Sequence, residues 1–179
     1  MATLPDRSWR IWLSESAREE MCGAASEAYP YETGGVLAGV YTAGRPWVTH
    51  VQTVTPKRGM PSFYTLPEGK REQAIRSLRR LDPRIGYLGD WHSHPADVGP
   101  SCTDCNSIRS ISLSGDLARP VLLIVRWTGE GHTLDARQWT GRRLRPLRVV
   151  AAGNLPPLAP RRRSRRLMAL RQEGGSFSR

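Results

Sequence analysis

The chain has 179 residues, three cysteines and a formal net charge of +11, and the excess charge is local: residues 1–140 hold 16 Lys or Arg against 15 Asp or Glu, whereas residues 141–179 hold 11 Arg against one Glu. That length suits one domain with a tail and needs no disulfide staples, and a small, odd number of cysteines speaks against a secreted disulfide framework and for a reducing compartment. No stretch approaches the run of about eighteen apolar residues that a membrane helix needs, and the first residues lack the apolar core of a signal peptide, so the expectation is a cytoplasmic protein with no membrane partner.

"SWRIWLS" (8–14) alternates Trp9, Ile11 and Leu13 and predicts a strand. "SESAREEMCGAASEAYP" (14–30) predicts a helix, with Ser14 or Ser16 as N-cap, Glu15, Glu19, Glu20 and Glu27 on its solvated face, and Pro30 as stop. "GGVLAGVY" (34–41) and "RPWVTHVQTV" (45–54) read as neighbouring antiparallel strands, and the turn-rich "TPKRGMPSFYTL" (55–66) as a loop. A helix is expected over 67–81, with Pro67 in its first turn and Asp82-Pro83 at its end. "RIGYLGDWH" (84–92) predicts a buried strand, and "TDCNSIRSISLS" (103–114) has helical spacing at Ile108, Ile111 and Leu113. "RPVLLIVRW" (119–127), "HTLDARQWT" (132–140) and "RRLRPLRVV" (142–150) predict three more strands. Strands and helices mixed in this order give an α/β (α+β) domain around one sheet. The boundary is placed near residue 150. Residues 1–150 form the domain, and 151–179 form a flexible tail, Pro-rich in "AAGNLPPLAP" and then Arg-rich in "RRRSRRLMALR".

The chemistry concentrates in "GDWHSHPADVGPSCTDC" (89–105). In extended geometry residues i and i+2 point to one side, so His92 and His94 can converge on one point. Asp104 follows after a turn containing Pro95, Gly99 and Pro100, at the start of the predicted helix, where a carboxylate also favours the helix N-terminus. Alone, an H-x-H pair is more often incidental than a ligand pair, and Ser101 or Asp104 alone is an ordinary helix-start residue. Together, two imidazoles and one carboxylate make a zinc set that leaves a position open for water, as catalytic sites do.

Cys102 and Cys105 form a C-x-x-C, but no second cysteine pair exists for a structural zinc and no thioredoxin-like context for a redox pair, so both are read as packing residues or supports behind the ligands. Hydrolysis needs a general base, and Glu32 is the candidate because it precedes the strand opened by Gly34 and Gly35, whose missing side chains admit a substrate or another strand. Ser101 can donate a hydrogen bond to the oxyanion. Trp91, Trp127 and Trp139 are read as core or near-core packing, and His50 and His132 as ordinary strand residues.

Glu32 followed by "TGGVLAG", then "WHSHP" and "SCTD", resembles the JAMM motif of the JAB/MPN metalloprotease domain over roughly residues 10–150. The resemblance implies a cytidine-deaminase-like sandwich with a central mixed β-sheet flanked by helices. It also implies a zinc isopeptidase with His92, His94 and Asp104 as ligands, Glu32 as base and Ser101 as oxyanion donor. The spacing from His94 to Asp104 is one residue shorter than the family's usual one, within the loop before Ser101. The "ETGG" start and "DWHSHP" look most like the short prokaryotic branch. Members of that branch resemble deubiquitinases and accompany bacterial ubiquitin-like conjugation systems, including those of antiphage defence. The implied substrate is a ubiquitin-like protein or its conjugate, with E1-like and E2-like partners. Other prokaryotic members release sulfur-carrier proteins. A metal-free MPN scaffold is the rival reading, and the presence of all five motif residues weighs against it. A third reading makes the Arg-rich tail a nucleic-acid contact; without interleaved aromatics it is expected as an accessory contact with nucleic acid or an acidic partner.

Overall fold

Among the described residues one hydrogen-bonded sheet carries all seven strands and closes on itself. The computed structural model describes residues 9–54, 66–67 and 69–156. Their elements in chain order are β1 (Arg10–Ser14), α1 (Glu15–Ala28), β2 (Gly34–Thr42), β3 (Arg45–Thr53), α2 (Lys70–Leu81), β4 (Gly86–His94), α3 (Cys102–Leu113), β5 (Val121–Trp127), β6 (His132–Trp139) and β7 (Leu144–Ala152). Pairing runs β1-β3-β2-β4-β5-β6-β7, and the circle closes because β1 pairs in parallel with both β3 and β7. β4 and β5 are also parallel, as their crossover through α3 requires, and the remaining pairs are antiparallel. This is the mixed α/β architecture that the sequence predicts. The predicted loop is undescribed over 55–65, and the Arg-rich run 161–171 lies outside the described residues.

Strand alternation divides the apolar residues between the two faces of the sheet. Ile11, Leu13, Leu37, Trp91, Leu123 and Val125 point to one face and form the main core with Met21 of α1. On the other face, Ala74, Ile75 and Leu78 of α2 cover Val36 and Ala38 of β2, while Ile108 and Ile111 of α3 cover Leu122 and Ile124 of β5. β5 is therefore buried on both sides, which explains its unbroken "VLLIV". Ile108 is 1% exposed, and burying such a side chain stabilises the seat of α3 by about 1.5–3 kcal/mol.

Several boundaries differ from expectation for identifiable reasons. Of the two expected caps for α1, Ser14 is the one used, its hydroxyl accepting the Ala17 N–H at 3.3 Å. α2 starts at Lys70 rather than Pro67, because Gly69 takes a left-handed conformation (φ 73°) that ends any helical path through it. β4 extends two residues past the predicted end, so both histidines lie in regular strand. β7 continues beyond Val150, since Ala151 and Ala152 pair with Leu13 and Ser14 of β1. The next residues are also held to the body: Trp47 Nε1 donates to the Gly153 carbonyl at 3.1 Å, Ser16 to Asn154 Oδ1 at 3.2 Å, and Arg84 Nη2 to the Pro156 carbonyl at 2.7 Å. The docked chain thus reaches at least residue 156. Gly35 makes room for a strand rather than a substrate, since a Cβ there would lie 1.9 Å from the Gln52 carbonyl oxygen of β3.

Candidate metal centre

Asp90, His92 and His94 alternate with Trp91 and Ser93 along β4. Trp91 is fully buried in the main core and does not line the site. The two imidazoles face the start of α3, with Nε2 atoms 3.0 Å apart. His92 Nε2 lies 3.2 Å from Asp104 Oδ1, and His94 Nε2 lies 3.6 Å from Asp104 Oδ2. Zinc–ligand bonds of about 2.0–2.2 Å in a tetrahedron give ligand–ligand edges of roughly 3.3–3.6 Å. The observed separations of 3.0, 3.2 and 3.6 Å lie at or slightly below those edges, with the two histidines meeting different oxygens of Asp104. Among the described residues, His92, His94 and Asp104 are the group of three or more His, Cys, Asp or Glu able to hold a metal. The shorter loop has not separated the ligands.

Local hydrogen bonds aim His94 and Asp104. His94 Nδ1 lies 3.0 Å from the Val98 carbonyl, which can only accept, so the proton sits on Nδ1 and the Nε2 lone pair faces the triangle. Ser101 is the N-cap of α3, its Oγ accepting the Asp104 N–H at 3.2 Å, while Asp104 Oδ2 accepts the Ser101 N–H at 2.6 Å. This capping box fixes the carboxylate at the helix start. Burial opposes ionisation of Asp104, but the neighbouring His92 and His94 imidazoles and the bond to Ser101 outweigh it and hold the carboxyl well below the usual range. His94 moves the other way: burial pushes its pKa down, and Asp104, the Val98 carbonyl and Glu32 together raise it above the ordinary histidine value.

Glu32 is brought in by strand register. Gly34 pairs with His92 in the β2–β4 ladder, and Ser93 N–H donates to the Thr33 carbonyl at 2.7 Å. Continued by two residues, that register sets Glu32 opposite His94. Glu32 is 9% exposed, and its charge acts on the His94 imidazole. A cavity of about 360 Å³ opens beside the triangle, lined by His92, Asp104, Asp90, Arg71, Ser107 and Leu122 among others.

The five sequence-predicted residues therefore gather at one end of β4. The cysteines stay outside the ligand set. Cys102 is exposed, which rules out the packing role expected for it, and Cys105 is half-buried, with its thiol pKa raised by burial and by the neighbouring Asp104. Trp127 and Trp139 are half-buried. His50 bonds Thr49 Oγ1 at 2.9 Å and His132 packs edge-on against Trp127, so neither joins the metal group. The sequence reading leaves Asp90 and Arg71 unassigned. Strand alternation from His92 could have placed Asp90, whereas Arg71 carries no local signal.

Residues 14–141 match the family model described as prokaryotic homologs of the JAB domain. The chain belongs to that family. The JAB domain is 29% identical over 141 residues, 73% of this chain and 83% of the relative, to a Sinorhizobium fredii protein named "Probable metalloprotease y4qB". It is 31% identical over 123 residues, 65% of this chain and 67% of the relative, to a "CD-NTase/cGAS isopeptidase" of Enterobacter hormaechei. A solution structure of a Desulfitobacterium hafniense protein matches with a TM-score of 0.66 and 20% identity, covering 81% of this chain and 94% of that one, which shows the fold. The relatives' names are those of hydrolases. Among the described residues no helix is long and apolar enough to cross a membrane.

Proposed function

We propose that this JAB domain is a zinc-dependent JAMM-type isopeptidase that cleaves the bond at the C-terminus of a ubiquitin-like protein or its conjugate. The observation that supports the reading is the convergence of His92, His94 and Asp104, with donor atoms 3.0–3.6 Å apart, beside a strand register that sets Glu32 opposite His94. His92, His94 and Asp104 would hold a zinc ion, which would supply Lewis acidity and bring the ionisation of water near neutral pH. Glu32 accepts the proton of the attacking water on its carboxylate and passes it to the departing amine nitrogen. The Ser101 hydroxyl, still free to donate while it accepts at the cap, bonds the carbonyl oxygen as negative charge develops there. The isopeptidase name of the Enterobacter hormaechei relative supports an isopeptide-linked conjugate as substrate, and the motif resemblance extends the reading to a ubiquitin-like protein, with E1-like and E2-like enzymes as partners and antiphage defence as the setting. The Arg-rich tail is an accessory contact with an acidic partner or nucleic acid in a cytoplasmic protein.

The test is metal content and cleavage on the full chain. About one zinc per chain is expected, together with hydrolysis of a ubiquitin-like protein, encoded beside the gene, joined through its C-terminus to a reporter amine. A protein that takes up no metal, and cleaves nothing on adding zinc, overturns the reading.

A further inference from the structure

The cavity beside the triangle separates the elements that carry its ligands. β4 brings both histidines and α3 brings Asp104, and the buried residues of α3, Ile108 and Ile111, rest mainly on Leu122 and Ile124 of β5, with Tyr87 at the start of β4 packed against the same cluster. Between α3 and β4 lies the 360 Å³ space, with Asp90 and His92 on one wall and Ser107, Ile108 and Ile111 on the other. One side chain reaches across it. Arg71, from the first turn of α2, places Nη2 3.6 Å from Asp90 Oδ2 and Nη1 3.4 Å from Asp116 Oδ2.

Both carboxylates are tied to the ligand-bearing elements. Asp90 shares a face of β4 with His92, two residues on, and accepts the Tyr87 hydroxyl at 2.6 Å, while the Arg71 guanidinium lies 4.9 Å from the Tyr87 ring centre. Asp116 follows the end of α3 and accepts the Ser114 hydroxyl at 2.8 Å. The Arg71 and Asp90 side chains are only 23% and 18% exposed, so this pair is screened less than a surface ion pair.

We infer that Arg71 is a positioning residue of the metal centre, spanning from β4 to the end of α3 and so fixing the histidines relative to Asp104. A planar guanidinium can hold two carboxylates at once, and an ammonium acts as a single point charge. This inference rests on the zinc reading and touches no reacting atom.

The test is zinc affinity, measured on the full chain by competition with a chromophoric chelator. Arg71→Ala should weaken zinc binding by about 10-fold or more, since partners behind metal ligands typically contribute about 10–100-fold. Arg71→Lys should recover only part of that loss. Asp116→Asn should weaken binding in the same direction, and the double variant with Arg71→Ala should be no weaker than Arg71→Ala alone, because both cut one bridge. Leu78→Ala, buried on the same helix in a different cluster, should lower the melting temperature and leave zinc affinity in place. The cobalt-substituted Arg71→Ala protein should lose intensity in the visible bands of a tetrahedral site.

Parent-like affinity in Arg71→Ala overturns the inference, and so does an equal loss in Leu78→Ala. If Arg71→Ala does not fold, parent-like affinity in both Arg71→Lys and Asp116→Asn overturns it. A parent that binds no zinc overturns the metal reading instead, and this inference falls with it.

Discussion

Ser101→Ala separates two roles that one hydroxyl is proposed to combine. In the resting structure Ser101 Oγ accepts the Asp104 N–H at 3.2 Å, and its loss removes one half of the capping box. Removing a serine cap costs about 1 kcal/mol, and for a domain of this size that lowers the melting temperature by about 2–4 °C. Ser101 is exposed, so water replaces part of the lost bond and the effect falls at the lower end. The other half of the box is the Ser101 backbone N–H on Asp104 Oδ2 at 2.6 Å, which alanine keeps, so zinc content should not change. The proposed oxyanion bond would form only in the transition state. Its loss should lower kcat by about 10²–10³, or about 2.7–4 kcal/mol, with KM nearly unchanged. Thermal melts, elemental analysis and steady-state kinetics on Ser101→Ala and Ser101→Thr separate the two effects, since threonine keeps both the cap and the donor. A kcat loss below tenfold, alongside the expected loss of stability, refutes the oxyanion role. Loss of zinc shows instead that the cap serves to place Asp104.

Glu32→Gln should keep its zinc and lose about 10²- to 10⁴-fold in kcat, because an amide cannot take the proton, whereas Asp104→Ala should lose zinc occupancy; metal content and rate on both variants decide between base and ligand. Ending the chain after residue 156 should preserve the melting temperature and weaken any salt-dependent binding to acidic partners, while ending it after Val150 should lower that temperature by removing the last pairs of β7 and the Gly153–Pro156 contacts, as thermal melts of the two truncations would show. The raised His94 pKa makes protonation stabilising in the metal-free chain, a contribution present below the unfolded histidine value and lost as pH rises through the folded one. Zinc takes the unprotonated Nε2, so proton and metal compete, and chelator competition should give weaker binding at about pH 6 than at about pH 8.

What the sequence determined by itself is local. Strand alternation alone puts His92 and His94 on one side, and a Ser-x-x-Asp at a helix start alone predicts the capping box that holds Asp104. The apolar runs likewise predict β5 and its neighbours, since a strand buried on both faces needs no partner to be legible. Glu32 lies sixty residues before His92, so residue chemistry could only nominate it; the family resemblance assigned its role, and the pairing of Gly34 with His92 is what brings it to the site. The same applies to Arg71, which reads as one more charge on a solvated helix until β4 and the end of α3 meet around it. The end of β7 was also hidden, because "AAGNLPP" reads as a linker and only parallel pairing with β1 makes its first residues strand. Backbone periodicity and capping act within a few residues and leave their mark on sequence. Strand register and bridges between elements join residues far apart in the chain, so they exist only once the sheet has closed.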